Sequence, residues 1–460
     1  MCGVFGIRSE ERDVARLAYF GLFALQHRGQ ESAGIAVSEG GRLTAVREMG
    51  LVAQVFDEGT LQSLPGEVAI GHTRYSTTGG VRWANAQPLV QHGRARTVAL
   101  GHNGNLTNTA ELRDELRSEG LRLGSTSDTE VIAALLAHDE APLVEAVAAA
   151  MRRLEGAYSV VAIADGTLVA FRDAHGIRPL SLGRIGDDWV VASETCALDL
   201  VGAQTVRDVR PGEIVAVDAD GMRAVQALPE GGSALCIFEH VYFARPDSTL
   251  GGTEVHGARV RMGERLAVEA PVDADAVMPI PDSGTPAAIG FSKASGIPFN
   301  EGLIKNRYVA RTFIQPDQGM REQGIRMKFN PLDAVEGRRL VVVDDTIVRA
   351  NTMRQLVAML LDGGAAEVHV RISSPPVVSP CFYGIDMADE DELAAAHRSV
   401  EEMREHVGAT SLHYLSLDGM QAATRLPEGA VCRACFTRSY PTAVPELGKR
   451  AKLRFEHAGA

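Results

Sequence analysis

The strongest constraint on the fold is a change of hydrophobic pattern part-way along the chain. Up to about residue 230, short segments of alternating polarity, such as 43–49 and 158–173, predict half-buried antiparallel strands. From about residue 254, apolar strands alternate with amphipathic helices, as where RRLVVVDD (338–345) leads into NTMRQLVAMLLDGG (351–364). Repeated strand–helix units predict a parallel sheet with crossover helices. The sequence therefore predicts two domains of different class.

The domain boundaries follow from this change and from a Gly-rich turn at 229–232. We expect a first domain, a linker, a second domain and a C-terminal part with helices and a loop-rich tail, over residues 2–230, 231–253, 254–390 and 391–460. Within the first domain, helical periodicity predicts four helices, near residues 12–26, 108–119, 128–137 and 142–154.

The composition argues against several classes of protein. The 460 residues carry a formal net charge of −13, which disfavours a nucleic-acid-binding protein held by bulk electrostatics. We see no secretory signal and no run of the ~18 apolar residues that a membrane helix needs, so we expect a cytoplasmic protein without nucleic-acid or membrane partners. Six cysteines are too few for a disulfide scaffold and are better explained by catalysis, metal binding or core packing.

Cys2 directly follows Met1, and a small second residue permits removal of the methionine. The cysteine would then carry a free α-amino group, whose unperturbed pKa is about 7.7–8.0. Such an amine accepts a proton from the neighbouring thiol and activates it as a nucleophile without a histidine. The alternative is that Cys2 is an ordinary residue of the core. Position alone does not decide, because a motif needs its context.

Five ordered motifs supply that context: MCGVFGI, LQHRGQESAGIA, GHTRYSTTG, GHNGNLTN and SDTEVI. They resemble the class II glutamine amidotransferases, the N-terminal-nucleophile glutaminases, which implies an α+β first domain built as a four-layer αββα sandwich. The resemblance implies that Cys2 is the nucleophile and that Asn103 and the backbone N–H of Gly104 form the oxyanion hole. It places Arg74 on the α-carboxylate of glutamine and Asp128 on its α-ammonium. Taken singly, Arg74 also suits a surface ion pair, and Asn103-Gly104 a turn.

A second candidate site lies where the predicted strand of residues 340–345 ends in Asp344 and Asp345. Ligands bind at the carboxyl ends of strands in an open parallel sheet, and the N-terminus of the following helix offers N–H groups to a phosphate. The two carboxylates suit ribose hydroxyls or a magnesium ion that carries pyrophosphate. An Asp-Asp pair alone also serves as a helix cap or a turn. Ser283 and Gly284, after another predicted strand, are a further setting for pyrophosphate or its metal.

The string LVVVDDTIVRANT (340–352) resembles the phosphoribosylpyrophosphate signature of type I phosphoribosyltransferases, whose α/β domain has a parallel sheet. The resemblance implies that Ser283, Asp344 and Asp345 surround Mg²⁺. The other phosphoribosylpyrophosphate-binding positions that we expect are Gly284, Thr346, Arg349, Asn351, Thr352, Arg311 and Lys328. The family usually has Gly where this chain has Ala350. If the backbone there needs a positive φ, alanine costs about 1 kcal/mol or more.

The segment 305–330 is predicted to be a lid over this second site. It is long, contains Gly and Gln, and is locally basic through Lys305, Arg307, Arg311, Arg321, Arg326 and Lys328. In an acidic chain, a basic loop beside an anion site indicates a lid. The alternative is an ordinary solvated loop.

Four of the remaining five cysteines are candidate metal ligands. Cys432 and Cys435 form C-x-x-C, a spacing that can hold a metal or a cluster from a tight turn. Bulky apolar residues follow Cys236, Cys381 and Cys435 and would shield such a group from water. Spacing alone does not separate a structural zinc from an iron–sulfur cluster or from plain buried cysteines. We interpret Cys196 as a small buried hydrophobic residue.

The segments around these cysteines, 236–248, 373–386 and 432–442, resemble the cluster-bearing subgroup of amidophosphoribosyltransferases. The resemblance implies a structural [4Fe–4S] cluster, with Cys236, Cys381, Cys432 and Cys435 as its ligands. It covers nearly the whole chain and implies glutamine and phosphoribosylpyrophosphate as substrates. It also implies purine nucleotides as feedback inhibitors and a homo-oligomer, a tetramer, as the assembly.

The implied reaction converts glutamine, 5-phosphoribosyl-1-pyrophosphate and water to 5-phosphoribosylamine, glutamate and pyrophosphate, the first step of purine synthesis. Glucosamine-6-phosphate synthase shares the glutaminase half, but it needs sugar-phosphate isomerase domains, and we find none in the sequence. A different alternative is a redox-sensing regulator that keeps the cluster but has lost turnover. Ala350 favours that alternative, whereas the intact glutaminase motifs argue against it.

Overall fold

A computed structural model describes residues 1–306, 327–387 and 389–445. The first half of the chain forms antiparallel sheets and helices. In chain order they are β1 (Gly3–Arg8), α1 (Val14–Ala24), β2 (Ser32–Glu39), β3 (Arg42–Met49), α2 (Val52–Val55), α3 (Glu58–Gln62), β4 (Val68–Arg74), β5 (Leu89–His92), β6 (Thr97–Leu106), α4 (Thr109–Ser118), α5 (Thr129–His138), α6 (Leu143–Met151), β7 (Gly156–Ala164), β8 (Thr167–Arg172), β9 (Ser181–Ile185), β10 (Asp188–Ala192), α7 (Thr195–Leu200), β11 (Gln204–Asp208), β12 (Glu213–Asp218) and β13 (Gly221–Gln226).

Two stacked sheets with helices on both outer sides make up this half. One sheet has the strand order β11-β9-β10-β1-β4-β2-β3 and the other the order β13-β12-β8-β7-β6-β5. Val4, Ile70 and Val161 belong to the apolar layer between the sheets. The core under α1 includes Leu22, and the core under α4, α5 and α6 includes Ile132. The predicted αββα sandwich is therefore confirmed, and all four predicted helices lie within three residues of their expected ends.

The second half begins with short linker elements and continues as strand–helix units. In chain order they are β14 (Leu235–Cys236), a π-helical turn (Glu239–Phe243), β15 (Thr249–Leu250), β16 (Thr253–Glu254), α8 (Val255–Glu269), β17 (Ala276–Pro279), α9 (Thr285–Ser295), β18 (Leu303–Lys305), β19 (Phe329–Pro331), β20 (Arg339–Asp344), α10 (Asn351–Asp362), β21 (Glu367–Ile372), α11 (Val400–Val407), β22 (Ser411–Tyr414), α12 (Leu417–Thr424), β23 (Val431–Cys432) and α13 (Ala434–Thr437).

A four-stranded parallel sheet, β17-β20-β21-β22, forms the centre of this half, as predicted. Its fourth strand, β22, lies in the segment after residue 390. Helices cover both faces, and the two cores include Leu266 of α8 and Phe291 of α9 on one side and Leu356 of α10 and Met403 of α11 on the other. Because the strands are parallel, the residues that follow β17 and β20 meet at one edge of the sheet.

The linker and the tail pair directly with each other. β14 and β23 form a two-stranded parallel ladder in which Cys236 lies opposite Cys432. This ladder brings the tail back to the start of the second half. In the described parts of the chain, no helix is both long and apolar enough to cross a membrane.

Candidate active sites and a group of four cysteines

Cys2 directly precedes β1, which lies between β4 and β10 in the first sheet. β1 begins one residue later and pairs with β4, so that Gly3 faces Thr73 and Cys2 comes next to the end of β4. The backbone N–H of Tyr75 donates to the Sγ atom of Cys2 at 3.5 Å. The N–H of Cys2 donates to Asn103 Oδ1 at 3.2 Å. Burial raises the pKa of the Cys2 thiol, so the thiol needs a base beside it to react as a thiolate.

Asn103 and Gly104, the residues predicted to form an oxyanion hole, lie on β6, where Asn103 contacts Cys2. The side chain of Asn103 is fully buried, and its Nδ2 atom has no hydrogen-bond partner among the described residues. A buried donor without a partner costs free energy, which is a mark of a functional group. Gly104 has a φ of +156°, and a Cβ atom there would lie 2.0 Å from the carbonyl oxygen of Ala157. No residue other than glycine fits this position without a shift of the backbone.

Arg74 and Asp128 are both buried beside this centre. Arg74 donates to the backbone carbonyls of Thr78 at 3.3 Å and Gly80 at 3.1 Å, which shapes the loop after β4. Asp128 precedes α5 and accepts the N–H of Leu106 at 3.0 Å. Burial tends to raise the pKa of Asp128, but a nearby histidine and backbone N–H groups lower it further than burial raises it. The carboxylate is therefore held ionised, as a partner of an ammonium group must be.

A network of buried charges behind Cys2 was not predicted from the sequence. Arg28 Nε donates to the carbonyl of Cys2 at 2.9 Å, and the guanidinium also pairs with Glu194 and Glu239. Arg178 lies 3.5 Å from the same carboxylate of Glu239. The side chains of all four charged residues are 0% exposed. Arg28 belongs to a glutaminase motif and Glu239 to a linker motif, but only the fold shows that they meet.

Asp344 and Asp345 lie at the carboxyl end of β20, as predicted. Burial raises the pKa of Asp344 well above its usual range, and the charge of Asp345 raises it further. Burial also raises the pKa of Asp345, and hydrogen bonds from Ser283 and Thr346 partly offset this rise. The Thr346 hydroxyl donates to Asp345 at 2.7 Å. Two crowded carboxylates with a hydroxyl beside them are a donor set that a hard divalent cation stabilises.

Gly284 and Ala350 shape the loops at this edge of the sheet. A Cβ atom on Gly284 would lie 2.4 Å from the carbonyl oxygen of Val343, so glycine allows the loop to pack against β20. Ala350 has a φ of +62° and precedes α10 without a side-chain cap. The backbone at this position therefore does need a positive φ, which costs alanine about 1–2 kcal/mol. The first N–H groups of α10 remain without a side-chain cap, as a phosphate-binding helix requires.

The remaining predicted phosphoribosylpyrophosphate-binding residues have different surroundings. Asn351 and Thr352 are exposed in the first turn of α10. Arg349 extends away from that turn and pairs with Glu392 at 2.5 Å. The carbonyl of Lys328 accepts the N–H of Asn306 at 2.7 Å. Arg311 and most of the predicted lid lie outside the described residues.

Cys236, Cys381, Cys432 and Cys435 share one apolar cluster in which Met1 and Tyr383 also lie. None of them forms a disulfide. Burial raises the pKa of Cys236 to about 11 and that of Cys432 to about 12. Cys196 lies elsewhere, in the core under α1, as predicted.

The described residues contain no group of three or more His, Cys, Asp or Glu side chains placed to hold a metal ion. In a [4Fe–4S] cluster each cysteine binds a different iron atom, so the sulfurs stand farther apart than the ligands of a single ion. A cation, Arg178, lies 3.9 Å from Cys381 Sγ. Three buried thiols and the half-buried Cys381, beside a buried cation, are a donor set that suits an anionic cluster.

Comparison with known proteins agrees with this geometry. A family described as glutamine amidotransferase domain matches residues 72–200. The amidophosphoribosyltransferase of Mycobacterium tuberculosis is 51% identical over 99% of this chain and 89% of its own length. That of Synechococcus elongatus is 53% identical over 99% of this chain and 94% of its own length. The chain belongs to the amidophosphoribosyltransferase family.

A solved structure extends the similarity to the whole fold. The glutamine phosphoribosylpyrophosphate amidotransferase from B. subtilis, complexed with ADP and GMP, is 44% identical, with a TM-score of 0.92 over 98% of this chain and 100% of that chain. The family membership confirms a glutaminase domain followed by a phosphoribosyltransferase domain. The protein is a glycosyltransferase with glutamine amidotransferase activity that acts in purine biosynthesis.

Proposed function

We propose that this chain releases ammonia from glutamine at Cys2 and transfers it to C1 of phosphoribosylpyrophosphate at Asp344 and Asp345. The products are 5-phosphoribosylamine, glutamate and pyrophosphate. The observation that carries the proposal is the surroundings of Cys2, whose N–H lies on Asn103 and whose thiol accepts the N–H of Tyr75. A second centre of paired carboxylates in the same chain supplies the acceptor site.

The glutaminase half-reaction follows from the contacts of Cys2. Once Met1 is removed, the α-amine of Cys2 takes the thiol proton, and Sγ attacks the amide carbon of glutamine. The Asn103 Nδ2 group and the Gly104 N–H donate to the oxygen that becomes negative. Ammonia leaves with the transferred proton, and a γ-glutamyl thioester forms on Cys2. Water then hydrolyses the thioester to glutamate and regenerates the thiol.

Glutamine is oriented by its two charged ends. We propose that Arg74 binds the α-carboxylate with its guanidinium and that Asp128 binds the α-ammonium. Arg74 is buried and already shapes the loop of residues 78–80, so the same side chain can close that loop on the substrate. Asp128 is buried and ionised, which favours a cationic partner.

The transferase half-reaction takes place at the edge of the parallel sheet. We propose that Ser283, Asp344 and Asp345 hold Mg²⁺, which supplies positive charge to the pyrophosphate leaving group. The 5-phosphate binds the first turn of α10, with Thr346, Asn351 and Thr352 beside it. Gly284 lets the pyrophosphate loop pack against β20. Ammonia attacks C1 of the ribose, the C1–O bond breaks, and the amine loses a proton.

Arg349, Lys328 and Arg311 are proposed as further contacts of phosphoribosylpyrophosphate. Arg349 would first have to leave its ion pair with Glu392, which is exposed to solvent on both sides and therefore weak. Arg311 lies outside the described residues, within the predicted lid.

We also propose a [4Fe–4S] cluster on Cys236, Cys381, Cys432 and Cys435. Two of these residues face each other across the β14–β23 ladder, and all four lie in one apolar cluster. Such a group supplies a covalent tie between the linker and the tail and takes no part in the transfer reaction. Segments 2–230 and 231–253 then form the glutaminase domain and the linker. Segment 254–390 forms most of the transferase domain, and 391–460 supplies the fourth strand of its sheet, β22, and the cluster-binding tail.

Regulation, assembly and location complete the proposal. The B. subtilis relative was solved with ADP and GMP, which supports feedback inhibition of this chain by purine nucleotides. We propose a homotetramer and a cytoplasmic location. Six free cysteines suit that reducing compartment.

The test is glutamate release from glutamine by protein purified without oxygen, measured with and without phosphoribosylpyrophosphate and magnesium. We expect a sharp rise in glutamate release with both ligands, together with pyrophosphate production. Glutaminase activity that is indifferent to them would show that the acceptor site is assigned wrongly. Iron and acid-labile sulfide in amounts near four per chain would support the cluster, whereas zinc would refute it.

A further inference from the structure

A tight loop of the second half lies against the glutaminase centre. The N–H of Cys381 donates to the carbonyl of Met387 at 2.9 Å, and the N–H of Met387 donates to that of Ile385 at 2.8 Å, so residues 381–387 close on themselves. The hydroxyl of Tyr383 accepts the N–H of Thr442 at 3.1 Å. The loop is therefore fixed at both its base and its centre.

Two hydrogen bonds fasten this loop to the first domain. Asn105 Nδ2 donates to the carbonyl of Phe382 at 2.9 Å, and Asn105 is the second residue after Asn103 on β6. Arg178 Nε donates to the carbonyl of Tyr383 at 2.6 Å, and Arg178 is fully buried. Both donors belong to the glutaminase half, and both acceptors to the loop.

Two glycines also approach each other across this contact, Gly384 of the loop and Gly104 of the predicted oxyanion hole. A Cβ atom on Gly384 would lie 3.0 Å from the carbonyl oxygen of Gly104, 3.1 Å from its carbonyl carbon and 3.2 Å from its Cα. Gly104 also lies against the carbonyl of Ala157. The backbone of Gly104 therefore packs against both a strand of its own sheet and a loop of the other domain.

We propose that Gly384 and the loop 381–387 position the oxyanion hole. The proposal rests on the assignment of Asn103 and Gly104 to that hole. The contact with Gly384 and the hydrogen bond from Asn105 to the Phe382 carbonyl fix the backbone of Gly104. They thereby fix the direction of the Gly104 N–H. Gly384 is a positioning residue, because it acts through Gly104 and does not touch the substrate. The second domain thus completes the active site of the first.

The test is the variant Gly384→Ala in the full-length protein. Its methyl group would displace the backbone of Gly104 by a few tenths of an ångström. We expect kcat for glutamine hydrolysis to fall about 10-fold or more, because small misplacements of catalytic donors have effects of that size. KM for glutamine should stay within about threefold, since Arg74 and Asp128 are untouched. Phosphoribosylamine synthesis from added ammonium should be unchanged, since it bypasses the glutaminase centre.

Gly221→Ala is the matched control. Gly221 has a φ of +111°, close to the +106° of Gly384, and a Cβ atom there meets nothing within 4 Å. The control therefore carries the backbone strain without the contact, and it should keep the wild-type kcat. An equal loss in the control would overturn the proposal, as would a Gly384→Ala variant with wild-type kcat.

Asn105→Asp provides an independent test. It keeps the size of the side chain but replaces the donor to the Phe382 carbonyl by an acceptor. If Gly384→Ala also loses the ammonium-dependent reaction, Asn105→Asp decides between the outcomes. A lower kcat for glutamine hydrolysis with a normal ammonium-dependent reaction supports the proposal, and a wild-type kcat for glutamine hydrolysis overturns it. Cys2→Ala separates the two levels of inference. If Cys2→Ala retains glutamine hydrolysis, the proposed function itself is wrong. If Cys2→Ala is inactive but Gly384→Ala has the wild-type kcat, only the positioning role is refuted.

Discussion

The glutaminase centre and the phosphoribosyltransferase centre are built in opposite ways. Around Cys2, hydrogen bonds from Tyr75 and to Asn103, and a buried ion network behind them, fix the reacting group. Around Asp344 and Asp345, burial raises the pKa of both carboxylates, the charge of Asp345 raises that of Asp344 further, and the following helix has no side-chain cap. The comparison teaches that the protein itself positions the proposed nucleophile through hydrogen bonds. At the proposed site for a polyanion and its metal, by contrast, the two carboxylates and the first N–H groups of α10 are left for the ligand to pair with.

The largest expected effect is that of Cys2→Ala. We expect glutamine-dependent synthesis to fall by at least about 10³-fold, because the nucleophile is lost. Synthesis from added ammonium should remain within about twofold of wild type. Pyrophosphate release with each nitrogen source measures both. A parallel loss of the ammonium reaction would show that the two centres are not separable as described.

Arg28→Met tests how far the glutaminase centre depends on its buried network. Removing Arg28 takes away the one guanidinium that pairs with both buried carboxylates. Glu194 is left with His27 and Glu239 with the more distant Arg178, which costs about 3–5 kcal/mol. We expect a lower midpoint of denaturant unfolding for the first domain, followed by its tryptophan fluorescence. Arg16→Met is the control, because Arg16 forms exposed ion pairs with Asp13 and Glu58. An unchanged midpoint for Arg28→Met would mean that the network does not stabilise the centre.

Asp344→Asn separates function from stability in the second centre. The raised pKa of Asp344 means that the folded protein holds a proton that the unfolded chain releases above about pH 4. Stability without magnesium therefore falls as the pH rises from that value through the raised pKa. The variant should melt at a higher temperature than wild type at pH 7 in magnesium-free buffer. Its ammonium-dependent synthesis should fall about 100-fold. A lower melting temperature at pH 7 would contradict the raised pKa of Asp344.

Ala350→Gly is expected to have the smallest effect. Glycine relieves the positive φ, but the variant loses a buried methyl group and gains freedom in the unfolded chain. These contributions oppose each other, so the free energy of unfolding should change by less than about 1 kcal/mol, as measured by thermal unfolding. A gain of more than about 2 kcal/mol would mean that the loop stores more strain than one alanine explains.

Local signals in the sequence were sufficient for much of this account. Periodicity located four helices of the first domain, and the apolar run before Asp344 located the central parallel strand. Contiguous motifs predicted that Cys2, Asn103 and Asp128 belong to one centre, and the structure brings Asn103 into contact with Cys2. The structure also bears out the concern about Ala350, whose φ is positive.

Contacts between distant segments were beyond the sequence. Arg178, Glu239 and Gly384 lie in separate segments of the chain, and no spacing rule indicates that they converge behind Cys2 and Gly104. A pattern of hydrophobicity reports which face of an element is buried, but not which distant loop covers it. Buried ion pairs and glycine–glycine contacts therefore had to come from the fold.

The measurement that tests the central claim most directly is the ratio of glutamate to pyrophosphate released by the wild-type protein with glutamine, phosphoribosylpyrophosphate and magnesium. Two centres that act in sequence on one nitrogen atom should release the two products in equal amounts. Glutamate released without pyrophosphate would contradict the account, because the glutaminase centre would then not supply the second site.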